Sequence, residues 1–274
     1  MSETMSFFML QAAFLAVVLV LHTYLGLHII RRTIIFCDLV LDQLAACGAL
    51  IALGFGVQYG SGGSYLFSMV AVLLGAFLLA VTKPRNRLIP REAVIGIMYA
   101  MALVATLLLG DKIPGGDVYV AKTLSGSMLW VTWRFVAVTA VAYAVLLLAH
   151  YVFRAKFIAI TERPGTVSRE TLWDFVFFTT QGIITVLVVP VAGVLLAYAF
   201  LMIPAATAAM FTRRWGGALG LGWTVGFGAC LLGLFASYHF DLPYGPTLVL
   251  SLGTVFVAGL LVKGFMRRAC AGGG

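Results

Sequence analysis

Long apolar runs follow one another along nearly the whole chain, and they restrict what it can fold into. A helix that crosses the hydrocarbon core of a bilayer needs about 20 consecutive, mostly apolar residues. The chain contains nine such runs, which are separated by short clusters of Gly, Pro or basic residues. The runs are 7–30, 33–56, 64–82, 91–110, 129–152, 172–190, 191–212, 216–238 and 246–263. With 62% hydrophobic and 10% charged residues, the chain has too little polar surface for a water-soluble domain. We therefore predict an all-α, polytopic membrane bundle formed by residues 1–274 as a single domain.

Two features of the runs affect the number of spans. The stretch 172–212 holds Pro190 and Pro204, so it forms either two spans or one broken helix with an interfacial segment, and the total is eight or nine. The first run is preceded by Glu3 rather than by a basic segment, and no small-residue cleavage site follows it. We expect a retained first span and not a signal peptide.

The net charge of +8 comes mostly from Lys and Arg in short loops beside the apolar runs. This distribution is a topology signal and does not indicate a nucleic-acid surface, because basic loops stay on the cytoplasmic side. It predicts an external N-terminus and a cytoplasmic C-terminus. Lys112, Lys122 and Arg134 deviate from this rule, so 111–134 is expected to include a re-entrant or interfacial piece. The clusters assigned to the cytoplasm are 31–32, 83–91, 154–169, 213–214 and 263–268.

Asp38 and Asp42 are acidic residues inside the second apolar run, where a charge is costly and indicates a function. Their spacing of four residues places both on one face of a helix, beside Gln43. Measured from the cytoplasmic arginines, Asp42 lies roughly 15 Å into the membrane. Two carboxylates in a low dielectric repel each other unless a proton or a cation lies between them. A divalent metal ion satisfies this requirement, and oxygen ligands favour manganese while zinc and ferrous iron also accept them.

Other interpretations of the acidic pair remain open at this point. Asp38 can pair locally with Arg31 or Arg32, while Asp42 stays neutral or pairs with Arg134. His22 and His28 do not share a helix face well enough to chelate one ion. One histidine alone, of which His22 is the candidate, could approach the pair, as could Gln43.

Three further patterns are weaker. Phe157, Ile158 and Ile160 interrupt the polar segment 154–170, where they pack on lipid headgroups, on the bundle or, as we favour, on a partner protein. The run 216–238 carries glycines at helical spacing that suit bundle packing or a subunit interface. No cysteine pair forms a CxxC motif, and all four are expected to be buried. The glycines are Gly216, Gly220, Gly222, Gly226 and Gly228, and the cysteines are Cys37, Cys47, Cys230 and Cys270.

Several segments resemble the permeases of manganese/zinc/iron-type ABC importers. The two most specific are GVLLAYAFLMIPAATA at 193–208, followed by a basic turn, and SYHFDLPYGPT at 237–247. Residues 26–48 are also similar, with paired arginines and Asp38, although Asp42 stands where the family usually has His. The segment REAVIGIMYA at 91–100 extends the resemblance over most of the chain, except 154–175.

The resemblance implies a type II ABC importer fold and a homodimeric permease in the bacterial cytoplasmic membrane. It also implies a separate cytoplasmic ABC ATPase and a periplasmic or lipoprotein metal-binding protein. In that family the positions of Asp38 and Asp42 form a gate or ion site. The coupling role carries over only by position, to Phe157, Ile158, Ile160 and Glu162.

The predicted function is therefore uptake of divalent manganese, zinc or iron, with the metal as substrate and no permanently bound cofactor. The chain itself is not expected to be an enzyme, because no hydrolytic signature is present. Two alternatives are a permease for chelated metal, such as a siderophore or haem, and an ion-coupled secondary carrier that uses the acidic pair as a relay.

Overall fold

The computed structural model describes residues 3–83, 88–126 and 131–271, and this part of the chain is helical without strands. Nine of its helices are long and apolar enough to cross a membrane; α5 and α7 are not. The helices are α1 (Glu3–Arg32), α2 (Cys37–Gly54), α3 (Gly62–Val81), α4 (Arg91–Lys112), α5 (Gly116–Ser125), α6 (Trp133–Val152), α7 (Arg154–Glu162), α8 (Glu170–Ala192), α9 (Val194–Phe211), α10 (Trp215–His239) and α11 (Tyr244–Ala271). The predicted all-α membrane bundle is confirmed.

The stretch with two prolines forms two helices, as the nine-span prediction requires. The break between α8 and α9 falls at Gly193, whose φ of 79° lies in the left-handed region that suits glycine. A Cβ at Gly193 would overlap the backbone of Gly126, at the end of α5. Pro190 and Pro204 stay inside their helices, where neighbouring helices can compensate for the lost hydrogen bonds.

Residues 111–126 are more ordered than a plain loop. Helix α4 continues to Lys112, and α5 follows after a turn in which Gly115 has a φ of 75°. With 10 residues, α5 is too short to cross a bilayer. It packs on the bundle through Tyr119 and Val120, both buried. Residues 127–130, where the fifth predicted span was expected to begin, lie outside the described residues.

The bundle has a central and a peripheral set of helices. Each spanning helix contains an apolar stretch of 18 residues. More than 60% of this stretch is buried in α1, α2, α8 and α9, but less than a quarter is buried in α4, α6 and α11. The exposed faces of the peripheral helices are rich in Leu, Val and Phe, as expected for contact with lipid. The acidic pair lies on α2 and therefore within the central set.

The glycines of α10 divide between two faces. A Cβ at Gly222 would crowd Thr23 on α1, and one at Gly226 would crowd Pro204 on α9. At Gly216, Gly220 and Gly228, an added Cβ would meet no neighbouring atom of the described residues within 4 Å. Bundle packing thus accounts for Gly222 and Gly226, while a subunit interface at the other three glycines stays a prediction. Cys37, Cys47 and Cys230 are buried free thiols, as predicted, while the side chain of Cys270 lies outside the described residues.

A substitution of Gly26 should reveal how tightly α1 and α9 pack. A Cβ at Gly26 would overlap the backbone oxygen of Leu201 and crowd Ala205, so the helices would have to separate. We expect Gly26→Ala to destabilise the protein by about 1–3 kcal/mol, the usual cost of overpacking. Thermal unfolding in detergent measures the effect, with Gly220→Ala as the matched control. Equal unfolding temperatures for both variants would contradict this packing.

Candidate metal site

Asp38 and Asp42 lie in the first two turns of α2 and are buried, with side chains on one face of the helix. Thr33 has a φ of 51° and ends α1, so α2 begins at Cys37 and not at the predicted residue 33. The backbone N–H of Phe36 donates to Glu92 Oε1 at 2.9 Å, which ties the start of α2 to α4. These contacts fix how far each carboxylate extends into the bundle.

Helix α8 supplies a hydrogen-bond partner to each carboxylate. Gln181 Nε2 donates to Asp38 Oδ1, and Thr185 Oγ1 donates to Asp42 Oδ1 at 3.0 Å. Gln181 and Thr185 are four residues apart, like the two aspartates, so two matched helix faces meet. Sequence reasoning missed both residues. The available signal was a second pair of polar residues at helical spacing inside an apolar run.

Three buried oxygen atoms at this point have no hydrogen-bond partner among the described residues. They are Asp38 Oδ2, Asp42 Oδ2 and Gln181 Oε1. An unsatisfied buried polar atom costs about 1–3 kcal/mol, and more when it is charged. A cation among these oxygens would remove that cost and also the repulsion between the carboxylates. The described residues contain no group of three or more His, Cys, Asp or Glu side chains that could hold a metal, so amide and hydroxyl oxygens would have to complete the ligand set.

The arginines considered as local partners of Asp38 are used elsewhere. Arg31 pairs with Glu162 at 2.9 Å, and Arg32 pairs with Asp174. Arg134 is exposed, and no ion pair connects it to Asp42 in the described part of the chain. The alternative in which Asp38 or Asp42 pairs with one of these arginines is therefore wrong, because these basic side chains lie at the bundle end or on its surface.

His22 and Gln43 are buried but do not hydrogen-bond to the acidic pair. His22 Nδ1 lies 3.0 Å from the backbone oxygen of Val18 and 3.3 Å from the hydroxyl of Tyr143. Gln43 Nε2 is buried without a hydrogen-bond partner among the described residues. A pathway role for either residue stays a prediction.

A cluster of charges closes the bundle on one side of the pair. Asp174 lies on α8 two turns before Gln181 and is fully buried. It pairs with Arg32 from α1, with Lys83 beyond α3 at 2.7 Å, and with Arg91 from α4 at 3.6 Å. One carboxylate thus connects four segments. The predicted basic clusters 31–32, 83–91 and 154–169 meet at this end, although residues 84–87 lie outside the described part.

Two tyrosines cover the opposite side. Tyr59 Oη donates to the backbone oxygen of Pro190 at 3.1 Å, and Tyr119 Oη donates to that of Ala46 at 3.2 Å. Their rings pack edge to face with centroids 5.2 Å apart. Burial raises the pKa of Tyr119 to about 12, so its hydroxyl keeps its proton and continues to donate at neutral pH. A cavity of about 10 Å³ remains beneath them, which is about the smallest space that can hold one water molecule.

Helix α7 lies at the charged end and is anchored by its apolar residues. Phe157 and Ile160 are buried, and the Phe157 ring stacks on His150 with centroids 4.0 Å apart. Glu162 remains exposed and accepts a hydrogen bond from Trp215 Nε1 at 2.7 Å in addition to its pair with Arg31. The favoured interpretation that Phe157 and Ile160 face a partner is thus wrong, because both pack on the bundle; Ile158 is half-buried.

Comparison with known proteins identifies the family. The model of the ABC 3 transport family matches residues 5–263. The chain is 24% identical to a manganese transport system membrane protein of Halalkalibacterium halodurans, over 93% of this chain and 87% of that protein. It is 24% identical to a probable metal transport system membrane protein of Chlamydia muridarum, but the match covers 65% of this chain and only 61% of that relative.

Solved structures agree on the fold. PsaBC from Streptococcus pneumoniae superposes with a TM-score of 0.73 at 22% identity, covering 92% of this chain and 90% of the other. A metal-chelate type ABC transporter in an inward-facing conformation gives a TM-score of 0.65 at 15% identity, with 91% and 84% covered. Together with the family match and the nine apolar helices, these likenesses lead to one conclusion: the chain belongs to the ABC 3 transport family, the multi-pass membrane permeases of metal ABC transporters.

Proposed function

We propose that this permease carries free divalent metal ions into the bacterial cytoplasm through the site formed by Asp38 and Asp42. The observation that carries the proposal is the meeting of α2 and α8. A buried carboxylate pair, held by Gln181 and Thr185, keeps three oxygen atoms without partners among the described residues. Such a site suits a small cation, and relatives named as manganese transport proteins support metal as the substrate.

The proposed assembly is a homodimer of this permease in the cytoplasmic membrane. A cytoplasmic ABC ATPase and an extracytoplasmic metal-binding protein, periplasmic or lipid-anchored, complete it. The end that carries Arg32, Lys83 and Arg91 faces the cytoplasm in this proposal, since basic clusters remain on that side. With nine spans, the N-terminus is then external and the C-terminus cytoplasmic.

Alternating access follows from two closures on either side of the acidic pair. The Tyr59 and Tyr119 pair would separate to admit the ion, and the charge cluster around Asp174 would separate to release it. In this proposal, α7 transmits force from the ATPase. Its Glu162 is paired with Arg31, the neighbour of Arg32, and the chain continues from α7 into α8, which carries Asp174.

The two alternative functions are less well supported. A permease for chelated metal need not present paired carboxylates to its substrate, whereas Asp38 and Asp42 each keep one buried carboxylate oxygen without a partner among the described residues. An ion-coupled secondary carrier would not need an ATPase, and membership in an ABC transport family argues against it. Competition between free metal ions and chelates in uptake separates the first alternative from the proposal.

Uptake in proteoliposomes tests the proposed function. The vesicles contain the permease, its genomically adjacent ATPase and its binding protein, and they are supplied with manganese, zinc or ferrous ions. We expect at least one of these ions to accumulate inside the vesicles. This accumulation should require ATP on the side of the membrane where the ATPase is bound. Equal accumulation without ATP, or without the ATPase, would contradict the importer and favour the secondary carrier. Accumulation of chelates in preference to free ions would favour the chelate permease.

A further inference from the structure

The side-chain amide of Gln181 is arranged in a way that hydrogen bonding alone does not explain. Gln181 is fully buried on α8, and its Nε2 donates to Asp38 Oδ1. Its other end, Oε1, is buried without a hydrogen-bond partner among the described residues. An amide has both donor and acceptor capacity, and here only the donor end is used. The acceptor end is therefore available to a cation.

The two ends of this amide suit two states of the same site. In the state that the structure describes, the amide N–H groups offset the negative charge of Asp38. When a cation neutralises that carboxylate, the N–H group would instead face a positive charge. The terminal torsion of a glutamine side chain is broad and nearly two-fold, so a half-turn exchanges Nε2 and Oε1 without moving the helix.

We propose that Gln181 is a metal ligand and the selectivity residue of the site. On arrival of the ion, the amide rotates and Oε1 joins Asp38 and Asp42 as a third oxygen ligand. Thr185 holds Asp42 through its hydroxyl and is a positioning residue. This inference rests on the proposed function, because it assumes that the acidic pair is the ion site.

The chemical class of the substrate follows from the donor atoms. Carboxylate and amide oxygens are hard ligands that suit manganese, whereas imidazole and thiolate ligands favour zinc. The described residues bring no third His, Cys, Asp or Glu to Asp38 and Asp42. His22, the histidine predicted to approach the pair, directs Nδ1 to the backbone of Val18 and to Tyr143. When all ligand atoms are oxygens, the difference in binding affinity by which zinc exceeds manganese is smallest.

Metal binding to the purified permease tests the inference without transport. Mn²⁺ and Zn²⁺ are titrated into the full chain in lipid nanodiscs, with wild type compared to Gln181→His and Gln181→Leu. We expect Gln181→Leu to weaken Mn²⁺ binding by about tenfold or more, the scale of losses that even outer-sphere changes produce. Gln181→His should shift the Zn²⁺ to Mn²⁺ affinity ratio toward zinc by at least about tenfold. Gln11→His, at a buried glutamine of α1, is the matched control and should leave the ratio unchanged.

Two additional variants separate this inference from the proposed function. If Asp42→Asn binds both ions as tightly as wild type, the site itself is wrong. If Asp42→Asn loses binding while the Gln181 variants keep wild-type affinities, the site stands and the role of Gln181 is overturned. Gln181→Glu preserves side-chain shape and adds an oxygen ligand, so it should bind Mn²⁺ at least as tightly as wild type. It provides the decisive measurement should Gln181→Leu fail to fold, and weaker Mn²⁺ binding by Gln181→Glu would also overturn the proposal.

Discussion

Asp42→Asn should abolish metal uptake while the permease still folds and assembles. The substitution keeps the shape of the side chain, and the amide can still accept the hydrogen bond from Thr185. It removes one of two negative charges that a divalent ion needs, and an amide is a much weaker ligand than a carboxylate. We expect a loss of more than about a hundredfold, since changes outside the ligand sphere already cost about 10- to 100-fold. Asp38→Asn should behave in the same way.

Uptake in the reconstituted system and the unfolding temperature are measured together for these variants. Fewer like charges in the buried pair should leave stability equal or slightly higher, so a loss of uptake cannot be attributed to unfolding. Thr207→Val is the control on α9, because its buried hydroxyl only donates to the backbone of Ile203. Uptake at wild-type rates in both aspartate variants would disprove the ion site.

Asp174→Ala should cause the largest loss of stability of any single substitution considered for this chain. Asp174 is fully buried and faces three cations, of which Arg32 is almost fully buried as well. Removal of the carboxylate leaves these cations without their shared partner. Loss of one member of a buried ion pair costs about 3–5 kcal/mol, since the remaining charge stays desolvated. We expect a correspondingly lower unfolding temperature in detergent.

The matched control for this variant is Asp111→Ala. Asp111 also pairs with a lysine, Lys112 at 2.8 Å, but both side chains are mostly exposed. Exposed pairs contribute about 0–1 kcal/mol, so the control should unfold near the wild-type temperature. Similar unfolding temperatures for Asp174→Ala and Asp111→Ala would mean that the charge cluster does not hold the four segments together. The closure proposed for the cytoplasmic end would then lose its basis.

The two closures differ in how they can respond to the transport cycle. The tyrosine pair relies on two hydrogen bonds to backbone oxygens and on one ring contact, all near an enclosed space for about one water molecule. The charge cluster around Asp174 relies on ion pairs between four segments. Charge pairs in contact with water are weakened by solvent, so entry of water during opening lowers the cost of separating them. The ion pairs around Asp174 form the stronger of the two closures. In the proposed cycle, the ATP-driven force that α7 transmits acts on these ion pairs.

The residues of α2 were predictable because the cost of burying a charge is a property of the sequence pattern itself. Two carboxylates inside an apolar run, four residues apart, indicate a site regardless of what surrounds them. Gln181 and Thr185 could not be assigned in the same way, because a neutral amide or hydroxyl is tolerated in many membrane helices. Only the packing of α8 against α2 distinguishes them from the other polar residues of the spans.

The segment 154–162 shows the same limit. Phe157 and Ile160 interrupt a polar stretch, and such a pattern does not specify which surface covers them. The structure packs Phe157 against His150, Trp173 and Phe177, so a residue expected to contact a partner instead anchors α7. The exposed part of that helix is its polar side, which includes Glu162.

The sequence by itself determined that this protein lies in a membrane, that it has eight or nine spans and where the buried charges lie along the chain; the structure decided for nine. These properties follow from local hydropathy and charge, which act over one helix at a time. The tertiary structure decided which helices are central, which donors meet the carboxylates and which contacts lie on either side of the acidic pair. Those outcomes depend on contacts between residues more than 100 positions apart, such as Asp38 with Gln181 and Arg32 with Asp174. Such contacts are set by the packing of whole helices, which short segments of sequence do not encode separately.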